Sequence, residues 1–139
     1  FLQPGGNARL AELLNAQRKQ LGCRIYQLEF TDTEKTKPFA FSGIDALRKA
    51  GFQQPPASEY RLVRDETLYC PKDELDLAVL ERVFDCYNGK LPADYPGRCI
   101  APSDVLELYD AEKRRYYYRD MKQFVPVAFS PLMARPIQK

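Results

Sequence analysis

Val105-Leu106-Glu107-Leu108-Tyr109, then Arg115-Tyr116-Tyr117-Tyr118-Arg119, then Phe124-Val125-Pro126-Val127-Ala128-Phe129: these three runs decide the fold. Each is short and rich in apolar and aromatic residues, as a strand is. The polar links between them, residues 110–114 and 120–123, are too brief for a crossover. Strands joined so tightly run antiparallel, so the spacing predicts a three-stranded meander. Pro126 has no N–H to give to a ladder, which places the third run at an edge or on a bulge.

Upstream, residues 91–102 hold three prolines and Gly97 and read as an ordered but irregular loop. A helix is expected over residues 74–87, capped by Asp73 or Asp76. Its apolar face is Leu77, Leu80, Val83, Phe84 and Tyr87, and Asn88-Gly89 stops it. Residues 60–70 read as a strand with Tyr60, Leu62 and Arg64 on one face, broken by Pro71. A short helix opens at Ser42, with Asp45 three residues on, and ends at Gly51. Residues 23–30 alternate as a strand through Tyr26, Leu28 and Phe30. Ahead of it, Asn7 caps an expected helix to about Leu21. Leu10, Leu13, Leu14 and Leu21 form its stripe, and Gly22 is its stop. The sum is a single α+β domain: a mixed sheet ending in the antiparallel meander, with two or three helices packed on one face. Residues 1–22 are a helical extension, 23–130 the domain and 131–139 a tail.

The 139 residues carry 21 basic and 19 acidic side chains, a formal charge of +2. A chain this long buries roughly two-thirds of its unfolded surface. Its 45% apolar and 12% aromatic content argues for a core rather than disorder. The near-balance of charge excludes a strongly basic nucleic-acid protein but permits a local basic patch. Histidine is absent, which removes Ser-His and Cys-His nucleophile pairs and the commonest metal ligand. The cysteines, Cys23, Cys70, Cys86 and Cys99, are widely spaced with no Cys-x-x-Cys pair. That spacing argues against zinc and fits free thiols in a reducing cytoplasm. No apolar run approaches the ~18 residues of a membrane span. Phe1 in the place of an initiator Met fits a domain excised from a longer protein, or a trimmed chain.

Lys113-Arg114-Arg115-Tyr116-Tyr117-Tyr118-Arg119 is the strongest functional lead. On a strand, Arg115, Tyr117 and Arg119 share one face, with Lys113 and Arg114 at the hairpin tip. Arginine and tyrosine together suit a protein interface, and next a nucleic-acid strand. The plain structural reading makes Tyr116 and Tyr118 core and pairs the arginines with Glu107 across the hairpin. Ser103 and Asp104 adjoin at a loop-to-strand junction, where such residues bond their own loop backbone. Asp94, Asp104 and Asp120 form a metal site only if three turns converge. Cys99 beside Arg98 is a thiol without a base.

Taken together, several of these segments resemble the YodL-like domain of Firmicutes mobile-element proteins. They are Ile25-Tyr26-Gln27-Leu28 with the helix after Ser42, and Glu59-Tyr60-Arg61-Leu62-Val63 with Leu80-Glu81-Arg82-Val83-Phe84 and Asn88. The most specific runs from Pro92-Ala93-Asp94-Tyr95 through Gly97 and Ser103-Asp104-Val105 to Asp120, Phe124 and Phe129. The chain departs from the pattern at Arg98-Cys99, where a His-Ser pair is usual, and at Met121-Lys122-Gln123, where a glycine turn is usual. The resemblance covers about residues 23–129. It implies an α+β fold, a structural role for Gly97, Ser103, Asp104, Asp120 and Phe124, and a setting in large proteins of conjugative and integrative elements. It implies no particular reaction. The expected function is therefore a non-catalytic, cytoplasmic binding module. It takes a protein partner through Arg115, Tyr117, Arg119, Lys113 and Arg114, with nucleic acid as the alternative partner and a carboxylate metalloenzyme third. No cofactor, metal or membrane is expected.

Overall fold

The computed structural model describes residues 18–137. One five-stranded sheet organises them. Its strands are β1 (Arg18–Leu28), β2 (Tyr60–Pro71), β3 (Val105–Tyr109), β4 (Arg114–Arg119) and β5 (Phe124–Val127), in the spatial order β2-β1-β3-β4-β5. Two α-helices accompany it, α1 (Ile44–Lys49) and α2 (Asp76–Cys86). The fold is α+β and dominated by the sheet. Every strand pair is antiparallel, not mixed as expected from the sequence. Among the described residues the one parallel contact is an isolated bridge from Arg61 to Arg135, which ties the C-terminal segment to the edge of β2.

The expected helix over 7–21 fails where it is visible. Residues 7–17 lie outside the described residues, and 18–21 are strand. Leu21 belongs to a period-two series with Cys23 and Ile25, all buried, and not to a helical stripe. Gly22 is no helix stop. It sits mid-strand opposite Tyr109, and the domain boundary expected at 22 falls inside β1.

A bulge fixes the facing of β2. Ile25 pairs with Arg64 and Tyr26 with Leu62, leaving Val63 as the extra residue. Arg64 therefore leaves the face of Tyr60 and Leu62, against the alternation expected from sequence, and Val63 joins the core beneath α2.

The two helices take opposite faces of the sheet, not one. Val79, Leu80 and Val83 of α2 pack with Leu21, Cys23, Ile25, Leu106, Leu108 and Tyr117. Leu47 of α1 packs with Tyr26, Leu28, Tyr60, Val105, Tyr118 and Phe129. Each fully buried apolar side chain contributes about 1.5–3 kcal/mol. Neither helix uses the cap expected for it. At α1, Asp120 in the turn after β4 accepts the Ile44 N–H at 3.0 Å, a cap borrowed from 76 residues away. At α2, Leu75 holds the cap position, and Asp76 is drawn to β4 instead.

Candidate interaction surface

The face of β4 carrying Arg115, Tyr117 and Arg119 is the one that α2 covers. Asp76 accepts hydrogen bonds from Arg115 and from the Tyr117 hydroxyl. Burial would push the Asp76 carboxyl up, but these two partners hold it below the usual carboxylate range. Arg119, 6% exposed, donates to Glu81 at 3.0 Å and lies over the rings of Phe84 and Phe124, at 4.1 and 5.0 Å. The three residues expected to meet a partner thus stitch helix to sheet. Phe124 is buried in the same layer.

The opposite face is open at one end, and there the register builds two rows. One row runs Asp65, Arg24, Glu107, Tyr116 across β2, β1, β3 and β4; the next runs Thr67, Gly22, Tyr109, Arg114. Gly22 matters because it has no side chain. A Cβ there would lie 2.0 Å from the Tyr109 ring, so only glycine lets that ring fold across β1. Tyr109 then reaches Asp65 with its hydroxyl at 2.7 Å. The Arg24 guanidinium lies 4.3 Å over the ring and also pairs with Asp65 at 3.0 Å. Beneath them Glu107, fully buried, accepts from the Tyr26 hydroxyl at 2.9 Å and from Arg24 at 3.3 Å. Arg114 stands 3.8 Å from Glu107 and is 54% exposed. Lys113 beside it is exposed, and Tyr116 is half-buried against Phe129.

The sequence signal at Lys113 and Arg114 therefore lands on an open surface, while the rest of the set changes face. Arg24, Tyr109 and Tyr116 take the places assigned to Arg115, Tyr117 and Arg119. Gly22 two residues before Arg24 was the available clue. The cross-strand register that puts Arg24 beside Glu107 was not readable from one chain.

The motif residues have local work. Gly97 lets its loop press against β1, since a Cβ there would stand 2.5 Å from Gln27 Oε1 and 2.8 Å from the Tyr95 ring. Ser103, with a left-handed φ of 83°, is fully buried. It accepts the Phe41 N–H on Oγ at 3.1 Å and the Tyr60 hydroxyl on its carbonyl at 2.7 Å. Asp104 is also buried and accepts from the Ala101 N–H and the Gln27 amide, at 2.9 and 3.0 Å. Asp120 caps α1. Asp94 stands in solvent beside Arg64. The three aspartates are thus not brought together, and among the described residues no three acidic or cysteine side chains gather as metal ligands. The four cysteines are free thiols, and burial pushes Cys23 far above the usual range.

The YodL-like domain model matches residues 22–129, which includes the Gly22–Tyr109 contact, α2 and all of β2 to β5. The chain belongs to the YodL-like domain family. No curated protein and no solved structure matches it. Residues 18–21 of β1 lie ahead of the match, so the first strand of this YodL-like domain starts before the matched segment. Among the described residues no helix is long and apolar enough to cross a membrane.

Proposed function

We propose that this YodL-like domain is a non-catalytic binding module of a larger cytoplasmic protein carried on a conjugative or other mobile element. It holds a protein partner against the Arg24, Tyr109, Arg114 and Tyr116 end of the sheet. One observation carries this reading: on that face a tyrosine ring is fixed flat by Gly22 and flanked by arginines, one of them half exposed. Rigid tyrosine with arginine is the composition of interface hot spots, because each brings large contact area at small ordering cost.

The test is capture from the native host with paired variants. Lys113→Glu with Arg114→Gln takes the 3.8 Å ion pair from Glu107 but leaves it the bonds from Tyr26 and Arg24 and adds no carboxylate beside it, so the fold should survive by circular dichroism. Loss of the captured protein in this variant, and its retention in Glu112→Gln, supports the reading; equal capture by both overturns it. Binding of DNA that weakens steeply with salt and disappears in the same double variant would instead favour nucleic acid on this surface.

A further inference from the structure

The outer edge of β2 is a second surface, one that involves neither Lys113 nor Arg114. β2 is the first strand of the sheet order and pairs with β1 along its inner side. On its outer side the Arg135 carbonyl accepts the Leu62 N–H, and the Arg135 N–H donates to the Tyr60 carbonyl. Tyr60 and Leu62 therefore turn their backbone groups outward. The extra residue at Val63 shifts that alternation by one. Beyond it Arg64, Glu66 and Leu68 bond toward β1, while Asp65, Thr67 and Tyr69 turn their N–H and C=O groups away from the sheet. Among the described residues no other backbone group meets them.

This free run is bounded at both ends. The bulge and the Arg135 bridge close one end. Pro71, with no N–H to give, closes the other. Residues 64–70 lie between, with Thr67 at their centre, and they include no proline and no lysine, the residues that commonly blunt an edge. Thr67 is exposed, and Tyr69 is 65% exposed.

The run is also complementary to itself. In an antiparallel pairing centred on Thr67, outward-turned residues meet outward-turned residues. Thr67 faces Thr67 of the second copy, and Asp65 faces its Tyr69. Each such pair exchanges two backbone hydrogen bonds. Between them Glu66 stands opposite Leu68 and Arg64 opposite Cys70, so no charge faces its like. Moving the centre toward the bulge sets Glu66 against Glu66, or Asp65 against Asp65. Moving it the other way shortens the ladder at Pro71. We infer that the chain self-associates through this edge, two copies of β2 pairing antiparallel about Thr67 so that their sheets become one. Facing residues of an antiparallel pair share a face. The surface around Arg24 and Tyr109 of one copy therefore continues, on the same side, into that of the other.

Light scattering over a concentration series is the test. A monomer–dimer equilibrium in the micromolar range is expected, because one strand pair is a small interface. Thr67→Lys sets two like charges face to face and leaves the β1 ladder intact, since the side chain is exposed and its N–H turns outward. It should weaken the dimer tenfold or more, and Thr67→Glu should do the same. An equal mixture of the two variants should recover the dimer. Lys113→Glu with Arg114→Gln should dimerise as wild type does, which separates this contact from partner binding on the other surface. Wild type that stays monomeric up to about 1 mM, Thr67 variants that associate as tightly as wild type, a mixture that stays monomeric, or loss of the dimer in the Lys113 and Arg114 variant would each overturn the inference. So would protection of the Thr67 and Tyr69 amides from hydrogen exchange in the monomer, which would place residues 1–17 on the edge instead.

Discussion

At the scale of single residues, Asp104 gives the clearest consequence of burial. Its free oxygen has no donor, so desolvation outweighs the Ala101 N–H, Arg98 and Gln27, and the carboxyl is pushed up to about 7. An unfolded aspartate titrates near ~3.9. Below that value both states are protonated and the group is neutral in the balance. Between about 4 and about 7 the unfolded chain releases a proton that the folded chain keeps, so stability falls as pH rises, by on the order of 4 kcal/mol across the window. Urea unfolding of wild type should show this slope, and Asp104→Asn should flatten it; an unchanged slope would mean that Asp104 is ionised in the fold. Gly97 makes a steric claim of the same kind. Alanine there meets Gln27 and Tyr95, both fixed by other bonds. The expected loss is about 1–3 kcal/mol, typical of forced overpacking, read as a lower urea midpoint with unchanged slope.

Among the elements, α2 is held by polar bonds to β4 as well as by its apolar stripe. Asp76→Ala leaves Tyr117, buried beneath the helix, without its acceptor and leaves Arg115 only Asp110, 3.5 Å away. A loss of about 1–3 kcal/mol is expected, and Asp76→Asn, which keeps an acceptor, should recover part of it. Calorimetry of the two variants checks the order; equal melting temperatures would show the pairing to be idle. The elements also show what one sequence reveals. β3, β4, β5 and the extent of α2 to within two residues were legible because period-two and helical spacing are local properties. The N-terminal part of β1 was not, because Leu21 fits a leucine stripe and a strand alternation equally well, and only contact with β2 and β3 decides. The caps failed for a related reason. Ser42 and Asp73 are good local caps, but Asp120 reaches Ile44 from a distant turn and Asp76 is taken by β4, and neither contact leaves a trace in local spacing. Arg115, Tyr117 and Arg119 were correctly placed on one face; what the chain alone did not say was which face α2 would cover.

At the scale of the whole fold, the described residues form a sheet with one helix on each side and two separate buried clusters. The clusters around Leu80 and around Leu47 share no side chain. Substitutions in different layers should therefore add, and those in one layer should couple. Ile25→Val, costing about 0.5–1.5 kcal/mol, removes one methyl group from the α2 layer, and Leu47→Ala, costing about 2–5 kcal/mol, empties part of the α1 layer. Their sum should match the double variant within about 0.5 kcal/mol. Ile25→Val with Val79→Ala, both in the α2 layer, should depart from its sum by more than that. If instead the first pair couples as strongly as the second, the strands transmit strain across the sheet. A partner bound over Tyr109 and Arg114 would then alter α2 as well, through the Glu107 and Leu108 neighbours of β3 that face opposite ways. Denaturant melts of the two double-variant cycles decide between two independent cores and one continuous one, and the separation of the buried clusters predicts the former.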